Sequence, residues 1–140
     1  MIKSISILFV FLIIICSNGQ SQHSIEAEMN ACLEMDENHT TRGMILCMEN
    51  ARKAWLGEIE NHIVRLESIL DSTQFSLLQV SQSSWETYHE NQVAFLNDYY
   101  SKKSGSIWKT IAATQRLELA RKRATELFYL LDSNIETSDK

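Results

Sequence analysis

Not one of the 140 residues is proline, and only four are glycine. Helix interiors tolerate proline badly, so a chain without it is free to run in long helices. Gly19, Gly43, Gly57 and Gly105 are too few for the many tight turns of a β-sandwich or barrel. The apolar residues agree with that reading. Met44, Cys47, Met48, Ala51, Trp55, Ile59, Ile63, Leu66 and Leu70 recur at steps of three and four, which is one face of an amphipathic helix. Glu49, Lys53, Glu60 and Glu67 fill the opposite face. Asp71-Ser72-Thr73 breaks the pattern and offers side chains that can cap the free amides of a following helix. That second helix is predicted from Gln74 to Tyr99 or Tyr100, on Phe75, Leu78, Trp85, Tyr88, Phe95, Leu96 and Tyr99. Residues 101–106 (SKKSGS) form the second break, with Gly105 and two lysines suited to a helix end. A third helix is predicted from Ser106 to Asp132, lined by Ile107, Ile111, Leu117, Ala120, Ala124, Leu127, Phe128 and Leu131.

Three long amphipathic helices joined by short breaks predict an all-α antiparallel bundle. The same periodicity permits a dimeric coiled coil, but the short breaks favour folding within one chain. Hydrophobic residues at 44% and charged residues at 22% supply a core and exclude a disordered chain.

The N-terminus reads differently. Lys3 precedes an eleven-residue apolar run, Ile5 to Ile15, and Ser17-Asn18-Gly19 then places small residues before Gln20. That is the pattern of a secretory signal peptide over 1–19. A run of eleven residues, all apolar but Ser6, falls short of the ~20 that span a bilayer. A lipid anchor on Cys16 is the lesser reading, because Ile15 stands where lipoprotein processing wants a small residue. The expected organisation is thus a signal peptide over 1–19, a loose segment over 20–30, a helical domain over 31–133 and a flexible tail over 134–140. Such a protein works in the periplasm or outside the cell.

Once Cys16 leaves with the signal, Cys32 and Cys47 remain, an even count in an oxidising compartment. A disulfide between them is the simplest outcome, tying the short N-terminal segment to the first long helix. Its loop spans fifteen residues, for a stabilisation of about 3 kcal/mol in the chain-entropy account.

Loss of Lys3 also takes the net charge from −5 to −6, which argues against nucleic acid and for a cationic partner. The charge is unevenly divided. Glu26 to Glu67 carries nine acids against four bases, whereas Tyr99 to Thr125 carries seven bases against Glu118 alone. Mutual pairing of the first and third helices accounts for this more simply than a ligand patch.

Catalytic chemistry finds no foothold. Glu58 and His62 share a helix face, but two ligands do not make a zinc site. His23, His39, His62 and His89 all read as surface histidines. No Gly-x-Ser-x-Gly and no glycine-rich phosphate loop occurs, so no catalytic residue, metal or cofactor is expected. Asn38-His39-Thr40 is a sequon of a kind that arises often by chance. Trp55 and Trp85 lie on apolar stripes and read as core. Trp108, beside the basic break, is the one candidate for a partly exposed partner-binding anchor, although core packing is the simpler reading.

One set of short motifs resembles a known family. Cys32, Thr40 or Thr41 (Thr41 preferred), Met44 and Cys47 occur in order, with Ala51 one turn on. Leu77-Leu78 and the run Ser81-Gln82-Ser83-Ser84-Trp85-Glu86-Thr87-Tyr88 follow, then Gly105-Ser106 and Arg123-Ala124-Thr125-Glu126-Leu127. This series is similar to that of the LprI-type lysozyme-inhibitor family, a small secreted or envelope domain of bacteria. The likeness runs from about Cys32 to Leu127. His89 and Glu90 stand where the family has an Arg-Asp pair, and the family's second cysteine pair is missing here. The resemblance implies that Thr41, Met44, Gln82, Trp85, Tyr88, Arg123 and Leu127 are structural. It further implies a non-enzymatic domain that binds a cationic lysozyme and occludes its cleft. A helical envelope adaptor with another protein partner is the alternative.

Overall fold

The computed structural model describes residues 20–138, with side chains over 24–133. The expected signal peptide over 1–19, with Cys16, and the last two residues of the expected tail lie outside the described residues. Four helices are present among them: α1 (Gln20–Glu34), α2 (Thr41–Glu67), α3 (Ser72–Ser101) and α4 (Ile107–Ser138), with a single 3-10 turn at Asp36–Asn38 before α2. The expected three long helices are therefore joined by a fourth. It occupies the stretch 20–30 expected to be loose, and α4 also continues into the expected tail as far as Ser138. The physical reason lies in packing rather than propensity. Ile25 is buried against the cluster of Ala51, Trp55 and Ile59, and Met29 packs beside it. An isolated helix of this length is marginal in water, so docking stabilises it.

α2 and α4 form the centre of the fold and run parallel. Thr114 Oγ1 lies 3.5 Å from Met48 Sδ, Arg116 meets Glu49, and the Phe128 ring lies 6.1 Å from that of His62. α3 connects them and runs antiparallel to α4, with Arg123 meeting Gln82 near one end and Gln115 meeting Tyr100 near the other. The shared core is made of Trp55, Ile59 and Leu66 from α2 and Leu117, Ala120, Ala124, Leu127 and Leu131 from α4. The row of alanines on α4 lets the two helices approach closely. Leu78 and Trp85 bring α3 onto the same core.

Local chemistry sets the helix limits. Thr40 Oγ1 accepts from the Gly43 amide at 3.0 Å and opens α2. Asp71 accepts from the amides of Thr73 and Gln74, and Gln74 returns a bond to the Asp71 amide, so α3 begins with a capping box. Gly105 has φ 104°, a conformation open to glycine, and turns the chain into α4. The Cys32–Cys47 disulfide joins α1 to α2 with 5.7 Å between Cα atoms. The divided charge is resolved by pairing: Glu49 meets Arg116 at 2.6 Å and Glu26 meets Arg121 at 3.0 Å.

Candidate functional site

The parallel register of α2 and α4 puts the start of both helices at one end of the bundle. That end collects two features. One is the acidic approach to α2, where Glu34, Asp36 and Glu37 are all exposed. The other is the α3–α4 hairpin, which gathers aromatic side chains around one lysine. Tyr100 stacks on Trp108 at 5.9 Å between ring centroids, and Tyr99 meets Tyr100 edge-on at 5.0 Å. Lys103 Nζ lies 4.6 Å from the Tyr99 ring centre and 4.9 Å from that of Trp108. Cation–π contact with both rings holds the lysine across the turn. Gln115 Nε2 donates to the Tyr100 hydroxyl at 2.9 Å and fixes that ring to α4. Tyr99 and Ile107 remain exposed, and Trp108 is half-buried. The hairpin thus presents rigid aromatic surface with polar tips, the composition enriched at the centres of protein interfaces.

Trp108 is therefore neither a core residue nor a free one. Its ring is held by Tyr100 and Lys103 and is half-buried. Tyr100 and Lys103 were not singled out in the sequence, although the density of aromatics on both sides of residues 101–106 was a signal.

The motif residues take different places. Thr40, not Thr41, is the cap, while Thr41 and Met44 are half-buried in the first turn of α2. Gln82 and Arg123, from two separate motifs, are brought together: Arg123 Nε donates to Gln82 Oε1 at 3.0 Å. Trp85 packs against the core and Leu127 is fully buried within it. Tyr88 faces solvent at 53% exposure, so packing within the chain does not explain it.

The histidines require a correction. His62 is 2% exposed and not a surface residue, because it lies on the α2 face between Ile59 and Leu66. Burial pushes its pKa below the ordinary 6.5; Glu58, whose Oε2 lies 3.8 Å from Nε2, opposes that shift and the charge of Arg65 adds to it. Among the described residues neither ring nitrogen has a hydrogen-bond partner. His89 is half-buried and stacks on Trp85 at 4.9 Å, and burial followed by the charge of Arg52 lowers its pKa. No group of three or more His, Cys, Asp or Glu residues able to hold a metal occurs among the described residues. The sequon asparagine is engaged too, since Asn38 Nδ2 donates to the Cys32 carbonyl at 2.8 Å. No helix among the described residues is long and apolar enough to cross a membrane.

A family model described as "Lysozyme inhibitor LprI" matches residues 16–127. The fold is similar to the crystal structure of an uncharacterized protein from Burkholderia thailandensis, with a TM-score of 0.76 and 27% identity. That match covers 79% of this chain and 54% of the other, so the chain spans about half the length of its structural relative. No curated protein matches the chain.

Proposed function

Because this chain belongs to the LprI lysozyme inhibitor family, we propose that it is exported and inhibits lysozyme, or a related cell-wall hydrolase, by covering the enzyme's cleft. The observation that carries this reading is the end of the bundle that holds both the aromatic hairpin of Tyr99, Tyr100, Lys103 and Trp108 and the exposed acidic residues Glu34, Asp36 and Glu37. Fixed aromatic rings supply contact area at little entropic cost. Exposed carboxylates accelerate encounter with a cationic enzyme more than they tighten the final complex. The disulfide holds α1, and with it the acidic turn, in register with α2. In this role the protein has no chemistry of its own and needs neither metal nor cofactor. The apolar run over 1–19 serves as the export signal in this account.

A non-inhibitory adaptor is the second reading. The fit of this fold to about half of a longer chain favours it, since a domain reused within larger proteins can serve as a docking module.

Titration of the purified protein into chicken-type, goose-type and invertebrate-type lysozymes acting on cell walls separates the two. Stoichiometric loss of activity for one class supports inhibition. Full activity of all three at tens of micromolar protein leaves the adaptor reading.

A further inference from the structure

α3 is unusual for an outer helix. It has 30 residues but no lysine or arginine, and only Gln82 and Leu96 are fully buried. Leu77, Ser81, Ser84, Tyr88, Asn91 and Phe95 follow one another at alternating steps of four and three, so they share one face. All six are exposed, with Leu77 at 67% and Phe95 at 56%. None is charged. Glu86 and Glu90 fall on other sides of the helix, and the next residue of the row, Asp98, is paired with Lys102 at 2.7 Å. An exposed helix face is ordinarily its charged face.

We propose that this face of α3 is the contact between two copies of the chain, paired antiparallel about a two-fold axis level with residue 86. The row is self-complementary in that register. Leu77 meets Phe95 of the second copy, Ser81 meets Asn91, and Ser84 meets Tyr88, each large residue of the centre opposite a small one. A two-fold contact of this kind uses the same patch on both chains, and the alternating four-three row is the seam of a coiled pair.

Charge and area select this occupant. The chain carries a net charge of −5, so two copies approach most favourably through a face without charge. A strongly cationic partner finds no carboxylate on the row, and a membrane-surface helix needs basic residues that α3 lacks. The six residues of the row together present roughly 500 Å² per chain, Tyr88 and Phe95 being aromatic. Two copies then bury roughly 1,000 Å², the lower end for a specific interface.

The test uses the purified protein with its disulfide intact, loaded at about 100 µM, well above the micromolar range that modest interfaces reach. Sedimentation equilibrium is expected to give the mass of two chains, and Phe95→Glu or Tyr88→Glu the mass of one at unchanged helix content. The register is read by oxidation of cysteine variants. Leu77→Cys/Phe95→Cys is expected to yield a covalent pair of chains, whereas Leu77→Cys and Phe95→Cys alone yield none. The two positions lie about 27 Å apart within one helix, so no bond forms inside a chain. A single-chain mass at every concentration overturns the proposal. So does crosslinking by Leu77→Cys alone as efficient as that of the double variant, because it places the helices parallel.

Discussion

Arg123 Nε donates to Gln82 Oε1 at 3.0 Å, and Gln82 Nε2 in turn donates to Glu86 at 3.1 Å. This chain of bonds fastens α3 to α4 in a region where Gln82 is buried and Arg123 nearly so. Arg123 also reaches Glu126 at 3.3 Å, but that partner is largely exposed. Gln82→Ala leaves the guanidinium short of a buried acceptor, at a cost of about 1–3 kcal/mol. Urea unfolding of the two single variants and of Gln82→Ala/Arg123→Ala measures the coupling. The double variant is expected to lose less than the singles combined.

Two glycines of α2 are expected to behave oppositely. A Cβ on Gly43 runs into Asn38 Cα and lies 2.8 Å from the Asn38 carbonyl oxygen, because the 3-10 turn crosses that point of the helix. Gly57 has nothing within 4 Å. Gly43→Ala lowers stability, by about 1–3 kcal/mol on the scale of overpacked sites. Gly57→Ala raises it, by about 1 kcal/mol, because alanine is the better helix former. The midpoints of thermal unfolding move in opposite directions if this account holds.

Acid should weaken the fold in two stages. His62 and His89 are held below their ordinary 6.5, chiefly by burial. The unfolded chain therefore binds protons there first. The stability from keeping both rings neutral is full above about pH 6.5 and is lost as pH falls below it. Burial alone raises the pKa of Glu49, but hydrogen bonds and charge from Arg52 and Arg116 outweigh it and hold the carboxyl below 4.5. Its contribution is present above about pH 4.5 and is lost as pH falls further. Unfolding free energy measured from pH 8 to 3 is expected to fall in both windows. His62→Leu should shrink the upper one to the share of His89 and leave the lower in place.

The periodic runs and their breaks announced α2, α3 and α4, and of the three capping side chains that 71–73 offered it is Asp71 that caps α3. Trp55, Leu66 and Leu127 are buried as their spacing required. The stretch 20–30 of α1 was hidden because its helical state depends on contacts that no local pattern encodes: among its described residues, a polar segment offers Ile25 and Met29 to the core. His62 was readable in principle, three residues after Ile59 and four before Leu66, but residue type outweighed position. The hairpin was partly visible in Trp108. Its partners Tyr100 and Lys103 depend on a turn whose geometry rests on the positive φ of Gly105, which sequence alone does not fix.

The proposed inhibition of a cell-wall hydrolase by the aromatic hairpin end makes Trp108 an interface anchor. Residual lysozyme activity, titrated in parallel with the unaltered protein, Trp108→Ala and Tyr129→Ala, tests it most directly. Tyr129 is an exposed aromatic on α4, well away from the hairpin, and serves as the control. Loss of an interface anchor costs about 2 kcal/mol or more, which is roughly a thirtyfold rise in the inhibitory concentration. That rise is expected for Trp108→Ala and none for Tyr129→Ala. Equal potency of all three proteins, or no inhibition by any of them, contradicts it.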